Sequence, residues 1–149
     1  MYQNGDVGSK GISVVGDQTL FIPGPILGLN EMLLARGRGH YAYNAKKKKL
    51  EEEIYYLCLE QGITYVTQAW FLFEWLEPNK RRDPDNVAAG RKFVFDGLVK
   101  ARRLPGDGWK HVNGWLDTFQ VDRENPGVRV HIFKENPLEA CFLNKIWGR

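Results

Sequence analysis

The sequence predicts a single mixed α/β domain, with a small mixed sheet and two main helices in the order β-α-β-α-β-β. Three observations carry this: 149 residues, the alternation of β-branched or aromatic runs with stretches of helical periodicity, and the absence of any repeat, low-complexity segment or linker. A chain of this length buries a real core without staples, and 43% apolar with 13% aromatic residues is incompatible with a disordered segment. One domain therefore spans 1–149, with residues 1–17 as a Gly-rich arm, a short edge strand being one reading of 12–15, and 134–149 as a tail ending on Ile146 and Trp147.

The first strand falls at 18–22 and stops at Pro23-Gly24-Pro25, because proline cannot donate to a ladder. Residues 27–44 contain Arg36-Gly37-Arg38-Gly39 and read as a loop with too many glycines for a helix. In 45–61, Leu50, Ile54, Leu57 and Cys58 recur at helical spacing before the stop at Gly62. The run 63–77, with Ile63, Tyr65, Val66, Trp70, Phe71, Phe73 and Trp75, predicts one strand or two short ones, its aromatics being core rather than a base-stacking platform. Asp85 or Asn86 then caps a second helix over 87–101, whose apolar stripe is Val87, Val94, Leu98 and Ala101. After a turn-rich loop over 104–113, strands at 115–121 and 128–133 flank the turn 124–127 and predict a hairpin.

Cys58 and Cys141 stand far apart, with no spacing that suggests a disulfide framework or a zinc site. No apolar stretch approaches a bilayer span and residues 1–10 lack a signal-peptide layout, so a soluble cytosolic protein is expected. The net charge of +3 is mild, but its distribution is not. Arg36, Arg38, Lys46, Lys47, Lys48 and Lys49 face no acid within 32–50, and Lys80, Arg81, Arg82, Arg91, Lys92, Lys100, Arg102 and Arg103 outnumber Asp83, Asp85 and Asp96 within 78–103. Two basic clusters form a track for phosphates, whose binding releases counterions. The first turn of the helix over 45–61 holds four lysines that oppose its macrodipole, so something other than helix stability favours them.

Asp83 and Asp85 flank a proline that biases Asp83 toward extended geometry, where residues two apart share a side. Two converging carboxylates suit Mg²⁺, which takes few protein oxygens and keeps its waters and a phosphate; the plainer alternative is a capped turn. Lys92 lies about two helical turns beyond Asp85, and its side chain either reaches back to a bound phosphate or pairs with Asp96, with Arg91 as a competitor. Asp107, in a Gly-flanked loop, is the third candidate acid, and Asp117 its alternative. His40, His111 and His131 have no metal spacing, and His131 within a strand is expected to be structural.

The run Arg81-Arg82-Asp83-Pro84-Asp85-Asn86, then Lys92 before Phe95-Asp96-Gly97-Leu98-Val99-Lys100, then Asp107-Gly108-Trp109, resembles the RusA family of phage and bacterial Holliday junction resolvases. Phe21-Ile22-Pro23-Gly24-Pro25, Asn30 and the basic loop look like that family's start, so the likeness covers about 18–133. It implies a homodimeric, Mg²⁺-dependent endonuclease, with Mn²⁺ as a substitute, that nicks a four-way DNA junction symmetrically and needs neither a membrane nor a small-molecule cofactor. On the matching positions, Asp83, Asp85 and Asp107 would be the acidic cluster and Lys92 the essential lysine. Arg36, Arg38, Lys46 to Lys49, Lys80, Arg81 and Arg82 would hold the DNA arms. Two departures stand out: the spacer between Asn86 and Lys92 is about one turn longer than in the best-known member, and the third acid is a single Asp before Gly-Trp. A catalytically silent DNA-binding module and a nuclease for flaps or other branched DNA are the competing readings.

Overall fold

A computed structural model describes residues 16–139; the segment 12–15, Cys141, Ile146 and Trp147 lie outside them. The described chain is one mixed α/β domain: β1 (Gln18–Pro23), α1 (Leu29–Gly37), α2 (His40–Glu60), β2 (Ala69–Glu77), α3 (Pro84–Ala88), α4 (Arg91–Lys100), β3 (Val112–Val121) and β4 (Gly127–Phe133). The four strands form one sheet in the order β1-β4-β2-β3, with β2 and β3 parallel and the other neighbours antiparallel.

Cross-strand register places Phe71, Phe73 and Trp75 of β2 beside Ile132, Val130 and Val128 of β4, and the last two beside Leu20 and Ile22 of β1. These side chains share one sheet face, which α2 covers with Ile54 and Cys58 and α4 with Val94, Phe95 and Leu98. Each fully buried side chain of this size contributes about 1.5–3 kcal/mol by leaving water. Phe95 stands edge-on to Phe71 and Phe73, with ring centroids 5.1 and 5.5 Å apart. The two helices touch at Gly97, where an added Cβ would lie 2.6 Å from Ile54 Cδ1. The buried Cys58 thiol has its pKa pushed up to about 11 by that burial.

Four sequence expectations need correction. The stretch read as a loop holds α1 and the start of α2, because its glycines punctuate helices rather than forbid them: Gly37 ends α1, and Gly39, at φ 114°, breaks the chain before His40. The single helix expected over 87–101 is two, α3 and α4, separated at Ala89 and Gly90. An added Cβ on Gly90 would sit 3.1 Å from Leu27 O, so this residue lets the β1–α1 connection pass close by. The expected hairpin does not form, since β4 pairs with β1 and β2 while β3 lies at the edge. The burial of β4 along nearly its whole length suits it to the interior of the sheet, and the largely exposed β3 suits an edge. Finally, the strand expected over 63–77 starts only at Ala69.

The free side of β1 is met by Gln61 at the end of α2. Its Oε1 accepts from Phe21 N and its Nε2 donates to Phe21 O, both at 2.8 Å, in place of a neighbouring strand. On the face away from the helices, Glu74 Oε2 accepts from His131 Nε2 at 2.6 Å and from Arg129 Nη1 at 3.1 Å. Gly16 N donates to His131 Nδ1 at 3.3 Å, which puts the ring proton on Nε2, toward Glu74. His131 is thus a buried structural group.

Candidate functional site

The chain leaves β2 at Glu77 and turns through Lys80 and Arg81, both exposed, before α3. Arg82 does not join them as an open phosphate contact, contrary to the sequence expectation. Its guanidinium grips Glu77 with two nitrogens and donates to Ile26 O at 2.7 Å, with Glu31 3.6 Å away. It is a strut between the end of β2 and the lead-in to α1.

Asp83 is the N-cap of α3, extended at φ −70° and ψ 151° as its proline neighbour requires, and Pro84 opens the helix. Asp85 already lies in the helical first turn, so the two carboxylates are not aligned by a shared extended segment as expected. Both residues are exposed, the Asp83 side chain makes no capping bond, and among the described residues neither carboxylate has an ion-pair partner. Asn86, expected as a cap for its own helix, is buried and acts elsewhere: its Oδ1 accepts from Asn30 N at 3.0 Å in the first turn of α1. It supplies the oxygen that the N-cap Gly28 lacks, and a Cβ on Gly28 would sit 2.6 Å from it.

Lys92 makes the Asp96 contact weighed for it and a second one, to Asp107, that the sequence did not suggest. Nζ donates to Asp96 Oδ1 at 2.8 Å and to Asp107 Oδ2 at 2.9 Å. Those bonds, Asp96 first, hold its ammonium well above the usual lysine range, and the bond from Lys92 lowers the Asp107 carboxyl. Lys92 is therefore a permanent cation rather than a base. The chain of charges continues through Asp96 to Lys47 at 3.1 Å, then Glu51 and Lys100, fastening α4 to α2. Lys47 is thus engaged in an ion-pair network, its pKa raised chiefly by Asp96, while Lys46, Lys48 and Lys49 are exposed.

Asp107 does fold back to the first turn of α4, but not to the Asp83–Asp85 pair. Because β2 and β3 run parallel, Asp83 follows the end of one strand while Asp107 precedes the start of the other, at opposite ends of the sheet. Among the described residues no three His, Cys, Asp or Glu side chains converge closely enough to hold a metal ion, so Asp83, Asp85 and Asp107 do not form a preassembled cage. Asp117 is placed differently. It lies on β3 two residues before Phe119, which lines a cleft together with Asp83. Its Oδ1 accepts from Trp75 Nε1 at 2.8 Å and its Oδ2 from Arg91, whose guanidinium stacks 4.8 Å above the Trp115 ring. The Trp75 indole bond and the Arg91 clamp went unforeseen in the sequence, where Arg91 figured only as a rival of Lys92 and nothing local links three residues on three elements.

The remaining basic residues sit on α1 and α2. Arg36 and Arg38 are exposed, Arg36 lying 5.1 Å over the Tyr43 ring. Arg38 and Lys46 share a hollow of about 70 Å³ with Glu31, the residue that also approaches Arg82. No helix of the described residues is long and apolar enough to cross a membrane. Comparison with protein-family models and with curated proteins finds no match to this chain.

Proposed function

We propose that this chain is a Mg²⁺-dependent endodeoxyribonuclease of branched DNA, four-way junctions foremost, in the manner of the RusA family that its Arg-Arg-Asp-Pro-Asp-Asn run resembles. The observation that carries the reading is the Asp83–Asp85 pair: two exposed carboxylates without ion-pair partners among the described residues, in a segment that also presents the exposed Lys80 and Arg81. Such a pair suits a small hard cation, because Mg²⁺ binds through one or two carboxylates and completes its shell with water and substrate phosphate. A three-acid cage is not a precondition, and the third acid would be Asp107, now bound to Lys92, or Asp117, now bound to Trp75 and Arg91. Bound there, the ion would supply Lewis-acid activation of water for phosphodiester hydrolysis. Arg91 and Lys92 on the first turn of α4 are the cations that suit the charge of a phosphate under attack.

The basic track supports the same reading. Lys80 and Arg81 near the acidic pair, and Arg36, Arg38, Lys46, Lys48 and Lys49 in the first basic cluster, are exposed and available for phosphate contacts. A junction has two-fold symmetry, and an isologous homodimer in the cytosol would bring one site to each of two strands. The second reading is a DNA-binding module without catalysis, favoured by the engagement of Lys92 with Asp96 and Asp107. Nicking of an end-labelled four-way junction with and without Mg²⁺, for the wild type and Asp85→Asn, separates them. Mg²⁺-dependent cuts lost in Asp85→Asn support the nuclease, and retarded junction without any cut leaves the module. Flap and fork competitors in the same assay rank the substrates.

A further inference from the structure

Beside Asp83 a cleft of about 230 Å³ opens between α3 and the end of β3. Its apolar lining is Pro84, Val87, Phe119 and Val121, and its rim carries Asp83 and Lys80. Phe119 and Val121 lie on the same face of β3 as Asp117, yet are 42% and 39% exposed. Glu77 and Arg82 also border the cleft, but they are locked to each other and act as wall rather than as ligands. The cleft therefore joins a partly exposed aromatic ring and aliphatic lining to an exposed carboxylate and an exposed cation.

We propose that this cleft receives a single unstacked nucleobase of the branched DNA, stacked on Phe119, with the adjoining backbone phosphate beside Lys80 and the Asp83–Asp85 pair. The inference rests on the nuclease reading and adds to it the subsite that positions the strand. A nucleobase is the occupant whose two apolar faces and attached phosphate match that juxtaposition. Base–aromatic stacking is worth about 1–3 kcal/mol per base and tolerates any sequence. Unstacking a base is least costly where pairing is already interrupted, so an isolated duplex would fill the cleft poorly and a branch point would fill it well.

The test uses four-way junctions carrying one 2-aminopurine at each position around the branch, titrated without divalent metal with the full chain, with Phe119→Ala and with Val121→Trp. Phe119 and Val121 are both partly exposed, so neither change opens the core; the first removes the stacking ring and the second fills the cleft. The expected result is a several-fold rise in 2-aminopurine emission at one position with the wild type. That rise is lost in both variants at saturating protein, with affinity for the junction falling about 5- to 100-fold in Phe119→Ala. A wild type that nicks the junction with Mg²⁺ but raises emission nowhere overturns the cleft proposal and leaves the nuclease standing, as does a rise that survives both substitutions. A chain that does not bind the junction overturns both.

Discussion

Lys92 Nζ bridges Asp107 Oδ2 at 2.9 Å and Asp96 Oδ1 at 2.8 Å, joining the loop ahead of β3 to the first turns of α4. Lys92 and Asp107 are both exposed, so their bond belongs with surface ion pairs and contributes below about 1 kcal/mol. Asp107→Asn should leave the urea midpoint nearly unchanged. If Lys92 meets the reacting phosphate, Lys92→Met should lower single-turnover nicking by about 100-fold or more at unchanged junction affinity. Equal small effects from both substitutions would make the bridge purely structural.

Asp117 and Asp107 give opposite forecasts. Asp117→Asn leaves the Arg91 guanidinium without its counter-charge in a partly buried position, which should cost about 1–3 kcal/mol by denaturant unfolding, whereas the amide oxygen can still accept from Trp75. With Asp117 as the third acid, Mg²⁺-dependent nicking disappears in Asp117→Asn and persists in Asp107→Asn. The reverse pattern would return the role to Asp107.

The three basic residues ahead of Asp83 should separate cleanly. Arg82→Ala removes a strut and leaves the Glu77 carboxylate unpaired, so unfolding should become easier by about 2–4 kcal/mol. Lys80→Ala and Arg81→Ala should leave thermal unfolding unchanged, and each should reduce the slope of log binding constant against log salt by about one.

Glu74 makes stability depend on acid. Burial pushes its carboxyl up, but the bonds from His131 and Arg129 outweigh this and hold it below the ordinary 4.5. A group depressed in the folded state stabilises fully above its unfolded value and loses that contribution as pH falls through the folded one. Chemical unfolding from pH 7 down to pH 3 should therefore show a fall below about pH 4.5 that Glu74→Gln flattens.

Gly28→Ala tests the junction between α1 and α3. The added Cβ would meet Asn86 Oδ1 at 2.6 Å and Asn86 O at 2.8 Å, so the Asn86–Asn30 bond must open. A loss of about 1–3 kcal/mol in unfolding free energy is expected, although φ of −97° is open to alanine.

Local chemistry in the sequence was enough to determine the mixed α/β class, the first strand with its stop at Pro23, the aromatic core of β2 and the extended Asp83 ahead of Pro84, because proline and hydrophobic periodicity act over a few residues. The same local view misread 27–44, where glycines end one helix and begin the next, and it joined α3 to α4 because the break at Gly90 answers to a backbone from β1–α1. Only tertiary structure decided that β4, not β3, sits between β1 and β2, and hence which end of the sheet each acid occupies. The parallel pairing of β2 with β3 separates Asp107 from Asp83 and brings Asp117 to Arg91 and Trp75, since register is set by which strand can be buried on both faces, a property of the assembled sheet rather than of any single segment.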